Sequence, residues 1–105
     1  MAKFSPGGVR RWATYYGSNG ADETFRSCTD ATGKVFFAGY TTATGTLVST
    51  LGAHQTSNGG VNDAFIVKFD SVGARLWGTL YGGSGNEYGR SCALDAAGDV
   101  YLCGY

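Results

Sequence analysis

The stretch "WGTLYGGSGNEYGRSC", residues 77–92, restates with small changes "WATYYGSNGADETFRSC", residues 12–28. A chain of 105 residues that says nearly the same thing twice is built from a repeated unit. Phe4 matches Phe69, Trp12 matches Trp77, Gly33 matches Gly98 and Tyr40 matches Tyr105, each pair 65 positions apart. Within that frame Arg26-Ser27-Cys28 reads as the counterpart of Arg90-Ser91-Cys92, a slip to a spacing of 64 that suggests a loop of variable length.

The unit divides into four runs of strand length. Run one is "FRSCT" or "GRSCAL", and run two is "KVFFAGY" or "DVYLCGY". Run three is "AFIVKF", with "MAKF" as its N-terminal counterpart, and run four is "VRRWATYYG" or "ARLWGTLYG". β-Branched and aromatic residues favour a pleated surface, and no stretch keeps a helical period for three turns. Between runs stand Asp30-Ala31-Thr32-Gly33, Asp70-Ser71-Val72-Gly73, Asp95-Ala96-Ala97-Gly98 and Ser5-Pro6-Gly7-Gly8. Asp or Ser at the first position accepts a backbone hydrogen bond from two residues on, and the fourth-position glycine takes a positive φ. These are hairpin turns, so consecutive runs pair antiparallel.

Both faces of runs two and four are apolar: Val35 and Phe37 oppose Phe36 and Ala38, while Trp12, Thr14 and Tyr16 oppose Ala13 and Tyr15. A sandwich sheet with one wet face alternates more cleanly. Sheets covered on both sides by like sheets fit a β-propeller of four-stranded antiparallel blades. Run one, the smallest in bulk, suits the crowded innermost strand, and bulky run four, with Trp12 and Trp77, suits the outermost.

The single domain of residues 1–105 then holds about two blades. Residues 1–17 form an outer half-blade, residues 26–82 a complete blade with a long polar connection at 41–63, and residues 90–105 an inner half-blade. The halves are complementary, so the expected partner is the chain itself. A head-to-tail trimer or tetramer would complete a blade between chains, unless neighbouring repeats of a longer polypeptide do so. The break falls in a connection expected to be flexible.

The segment "NDAFIVKFDSVGARLWGTLYGGSGNEYGRSCALDAAGDVYLCGY", residues 62–105, resembles the seven-bladed β-propeller repeat family, often called SBBP repeats. Ala64, Phe65, Lys68, Phe69 and Asp70 match its opening, and Gly73 and Trp77 match its next strand. Tyr81, Gly82, Gly83, Ser84, Gly85 and Glu87 match the glycine-rich run. Asp95, Gly98, Val100, Tyr101, Gly104 and Tyr105 match the closing hairpin. "GAHQTSNGG", residues 52–60, is similar to the family's connection between blade halves. The resemblance implies a structural repeat of the kind found in large extracellular or envelope proteins, with no catalytic motif to transfer. Arg26, Arg90, Cys28 and Cys92 lie outside the family pattern.

Eight basic and eight acidic side chains balance, which gives no reason to expect a nucleic-acid partner. No apolar run reaches the roughly 20 residues of a membrane-spanning helix, and the N-terminus lacks the apolar core of a signal peptide. The family leans outside the cell, the unpaired cysteines and missing signal lean against it, and localisation stays open. Cys28, Cys92 and Cys103 contain no C-x-x-C pair and read as buried free thiols. His54, the only histidine, reads as a solvent-facing loop residue, and its spacing to Asp63 and the nearby serines identifies no triad.

The glycine-rich "YGGSGNEYG" is followed by a strand rather than a helix, so it reads as a turn between blades, not a phosphate loop. Asp22-Glu23 and Asn86-Glu87 sit in such turns without a D-x-D-x-D-G loop, so no metal or cofactor is expected. Arg26 and Arg90 are the candidate ligand-binding residues. Opening the innermost strands, they would ring one mouth of a central channel and attract a carboxylate or phosphate, unless they pair with Glu23 and Glu87. The function expected is a non-enzymatic scaffold or interaction surface. A carbohydrate-binding or adhesion module is the alternative, and a hydrolase a more distant one.

Overall fold

The computed structural model describes residues 1–44 and 46–105. Among them it contains eight strands and no helix: β1 (Ala2–Phe4), β2 (Arg10–Ala13), β3 (Asp22–Thr29), β4 (Val35–Thr41), β5 (Asp63–Phe69), β6 (Arg75–Tyr81), β7 (Gly89–Leu94) and β8 (Val100–Gly104). They form three antiparallel sheets. One is a four-stranded sheet in the order β3-β4-β5-β6, and the others are the hairpins β1-β2 and β7-β8.

The turns follow from local chemistry. Asp30 Oδ1 accepts from the N–H groups of Thr32 and Lys34 at 2.8 and 2.9 Å. Asp70 does the same for Val72 and Ala74, and Asp95 for Ala97 and Asp99. At Asp30 and Asp95 these bonds favour the charged carboxylate. Asp30 is held below its ordinary range first by the Thr32 hydroxyl, and Asp95 first by the Asp99 N–H. Gly33, Gly73, Gly98 and Gly8 close the four turns at φ between +80° and +91°.

Alternation in β4, β5 and β6 gives the central sheet two apolar faces. Phe65, Val67, Phe69 and Leu80 form one buried cluster, against which Met1, Tyr16 and Phe37 pack. Phe36, Ala38 and Ile66 form the other with Cys92, edged by Trp77, Leu94, Val100 and Leu102. The N-terminal hairpin thus lies against one face and β7-β8 against the other. Trp12 bridges the first interface: its Nε1 donates to Ser71 O at 2.9 Å, and its ring fills the space beside Gly73. Trp77 meets the edge of Phe36 at 6.1 Å in the second cluster.

The connection between β4 and β5 differs from the flexible joint expected of its polar composition. Val48 and Ser49 are buried, and the Tyr16 hydroxyl donates to Val48 O at 2.6 Å. Thr50 N donates to Gly78 O, and Leu80 N donates to Gln55 O. The connection therefore runs along the outer edge of β6 and satisfies backbone groups that the end of the sheet leaves unpaired.

Candidate functional site

The glycine-rich turn, β3, the ends of β4 and β8 and the start of β7 bring together a cluster of four aromatic residues and one arginine. The Arg90 guanidinium lies 4.1 Å above the Phe25 ring and within 5.3 Å of the Tyr88 and Tyr105 ring centres. It also donates to the Tyr105 hydroxyl at 2.5 Å. Tyr40 continues the cluster, 4.9 Å from Tyr88 and 5.9 Å from Phe25. Burial, followed by the nearby Glu23 carboxylate, pushes the Tyr40 phenol above its ordinary range. A cavity of about 290 Å³ opens beside this cluster, lined in part by Tyr81, Glu87, Tyr88, Leu102 and Tyr105. The π faces take the guanidinium where the sequence had offered a carboxylate.

Register corrects the repeat alignment. In the central sheet Ser27 stands opposite Phe37 and Cys28 opposite Phe36. In the C-terminal hairpin Cys92 stands opposite Leu102 and Ala93 opposite Tyr101. Phe37 and Leu102 are 65 apart, so the structural counterpart of Ser27 is Cys92, and that of Cys28 is Ala93. The bulges agree: the ladder skips Phe25 in β3 and Arg90 in β7. The preceding turns agree too. Asp22 Oδ2 accepts from Ser18 N as Glu87 Oε2 accepts from Gly83 N. Spacing is 65 throughout, and the apparent slip to 64 has no structural basis. Arg26 is exposed on β3 with Ser91 as its counterpart, whereas Arg90 replaces Phe25. The two arginines are therefore not equivalent, and the premise of a ring of matched arginines falls.

The same shift brings two thiols together. Cys28 and Cys92 turn toward each other across the interface of β3 with β7, with Sγ atoms 3.0 Å apart. Cys92 is buried and Cys28 half-buried, but Cys103 is exposed, contrary to the expectation of three buried thiols. It lies on β8, which among the described residues pairs only with β7. Burial, then the hydrogen bond with Cys28, pushes the Cys92 thiol up from 9.0 to about 12. Because the folded value lies above the unfolded one, the protonated thiol stabilises the fold fully below pH 9.0 and loses that contribution as pH rises toward 12. Burial raises the Tyr16 phenol as well, adding to the loss at higher pH. Melting temperature is expected to be insensitive to these two groups up to about pH 9 and to fall above it, with Cys92→Ala weakening the earlier part of the fall. A melt curve unchanged from pH 8 to about pH 11 would contradict this.

His54 is exposed and stacks on Tyr81 at 5.8 Å. Asp63 is fully buried: its Oδ2 accepts from Gln55 Nε2 at 2.5 Å and Gly59 N at 3.0 Å, while Gln55 Oε1 accepts from Gly82 N. These bonds anchor the long connection to the end of β6 and leave His54 and Asp63 in separate roles. Among the described residues no three His, Cys, Asp or Glu side chains are grouped to hold a metal ion. The aromatic cluster escaped sequence reading because Phe25 comes from run one, Tyr40 and Tyr105 from the two copies of run two and Tyr88 from the glycine-rich turn, and only strand register collects them. No protein-family model matches the chain, and neither does any curated protein.

Proposed function

We propose that the chain is a β-propeller repeat segment of the kind resembled by the seven-bladed repeat family, working as a non-enzymatic scaffold and interaction surface. In this reading the central sheet is one blade, and the two hairpins are halves of blades completed by further copies. Three copies would give six blades and four would give eight. In a longer polypeptide, neighbouring repeats supply the same strands.

The observation that carries the reading is a contrast in exposure between repeat-equivalent residues. Phe69 is 2% exposed inside the four-stranded sheet, and its counterpart Phe4 is 58% exposed on β1. Phe36 is 1% exposed, and its counterpart Tyr101 is 60% exposed on β8. Positions that are core in the complete sheet are bare in both hairpins, as expected when each hairpin lacks its other half. An open row of backbone donors and acceptors beside apolar side chains invites strand addition.

An assembling chain gains stability by mass action, so its melting temperature depends on concentration. Raising the protein from about 1 to 100 μM is expected to raise the melting temperature by several degrees. A folded chain whose melt is independent of concentration over that range, with no dissociation on dilution, would count against assembly by completion of halves.

A further inference from the structure

We infer that the free edge of β8 is a docking site for β1 of a second copy, in one register. Val100 stands opposite Phe4 of the second copy, Tyr101 opposite Lys3, Leu102 opposite Ala2 and Cys103 opposite Met1. The inference rests on the repeat-segment reading and adds the strands, the alignment and the contacts that seal the joint.

The register comes from the complete sheet, where Val35 faces Phe69, Phe36 faces Lys68, Phe37 faces Val67 and Ala38 faces Ile66. A shift of 65 carries β4 onto β8 and β5 back onto β1. The phase of the hydrogen bonds supplies an independent check. Met1 and Thr14 exchange both backbone bonds, so the N–H and C=O of Ala2, the next residue, point away from β2. On β8, Asp95 N bonds to Asp99 O across the turn, so alternation sets the N–H and C=O of Leu102 away from β7. Ala2 and Leu102 are the residues that this register places opposite each other, and each presents a free donor and acceptor.

Side chains agree. Lys68 Nζ lies 4.9 Å from the Phe36 ring centre, and Lys3 would repeat that contact over Tyr101. Trp12 is capped by the Gly73 turn, and the corresponding turn at Gly8 has nothing within 4 Å of an added Cβ. Docking of β1 would bring the Gly8 turn of the second copy over Trp77 in the same way. Cys103 would become as enclosed as its counterpart Ala38, which is 0% exposed.

The test pairs a registered double variant, Lys3→Cys with Tyr101→Cys, against an off-register one, Lys3→Cys with Val100→Cys, each also carrying Cys103→Ser. Lys3 and Tyr101 would form a pair without mutual backbone bonds, where Cα atoms approach closely enough for a disulfide, whereas a one-residue slip points the side chains to opposite faces. On mild oxidation the registered variant is expected to form reducible interchain links at least about tenfold more than the off-register variant. Ala2→Pro, which removes the outward N–H but no β1-β2 bond, is expected to abolish assembly while β-sheet circular dichroism persists. In the otherwise unaltered chain, alkylation of Cys103 is expected to be about tenfold slower when assembled than in the Ala2→Pro variant. If the unaltered chain assembles but the two double variants link equally, and Cys103 reacts equally in both proteins, the junction is wrong and the repeat-segment reading stands. If the unaltered chain is a folded monomer at all concentrations, both fail.

Discussion

Replacing Phe69 with alanine is expected to destabilise the chain by about 3–5 kcal/mol. Its ring is 2% exposed and closes the end of the first buried cluster, edge-on to Tyr16 at 5.6 Å and to Phe37 at 6.1 Å. Truncation removes transfer free energy and leaves a cavity between the central sheet and the N-terminal hairpin, where two rings lose an edge-to-face partner. Its counterpart Phe4 provides the comparison. At concentrations where the chain is dissociated, Phe4→Ala is expected to cost under about 0.5 kcal/mol, because the ring is already exposed. Where copies are assembled it should cost several times more. Denaturant titrations of both variants at low and high protein concentration would read the difference. Equal costs for Phe4→Ala at both concentrations would mean that this ring stays bare.

Gly39→Ala is expected to cost about 3 kcal/mol, and the reason is contact rather than backbone strain. Gly39 is buried in β4 opposite Thr24, beside the bulge at Phe25. A Cβ there would collide with the carbonyl oxygen of Glu23 and lie 2.9 Å from Phe65 Cζ. The first obstacle is backbone in the adjacent strand, so relief requires β3 to separate from β4. Gly104 repeats the arrangement on β8, where an added Cβ would collide with the carbonyl oxygen of Tyr88. Gly104→Ala is therefore expected to loosen the β7-β8 hairpin. Equilibrium unfolding of Gly39→Ala within about 0.5 kcal/mol of the unaltered chain would show that the bulge yields freely.

What the sequence discloses depends on how local the cause is. The turns at Asp30, Asp70 and Asp95 were legible because one side chain and one glycine, three positions apart, settle each of them. The two apolar faces of β4 were legible because alternation is a local pattern. The pairing of Cys28 with Cys92 was not. Matching Arg-Ser-Cys by residue type imposed a spacing of 64, whereas hydrogen bonding to the next strand holds 65 through a bulge at Phe25 and at Arg90. A bulge moves one residue out of the ladder without marking the sequence. That single offset also hid the placement of Arg90 over Phe25. The 41–63 connection misled through composition. Its polar residues suggested solvent, but Val48 is buried and Thr50 and Gln55 pair with the edge of β6. Cys103 misled in the opposite sense: it occupies the position of buried Ala38, yet it is exposed on β8, which among the described residues pairs only with β7.

The proposed assembly requires the two hairpins to complete each other between copies. Light scattering coupled to gel filtration, at micromolar concentration in reducing buffer, measures this directly. A mass three or four times that of the 11.0 kDa chain is the expected result. A folded, cooperatively melting species of 11.0 kDa at every concentration tested would contradict it.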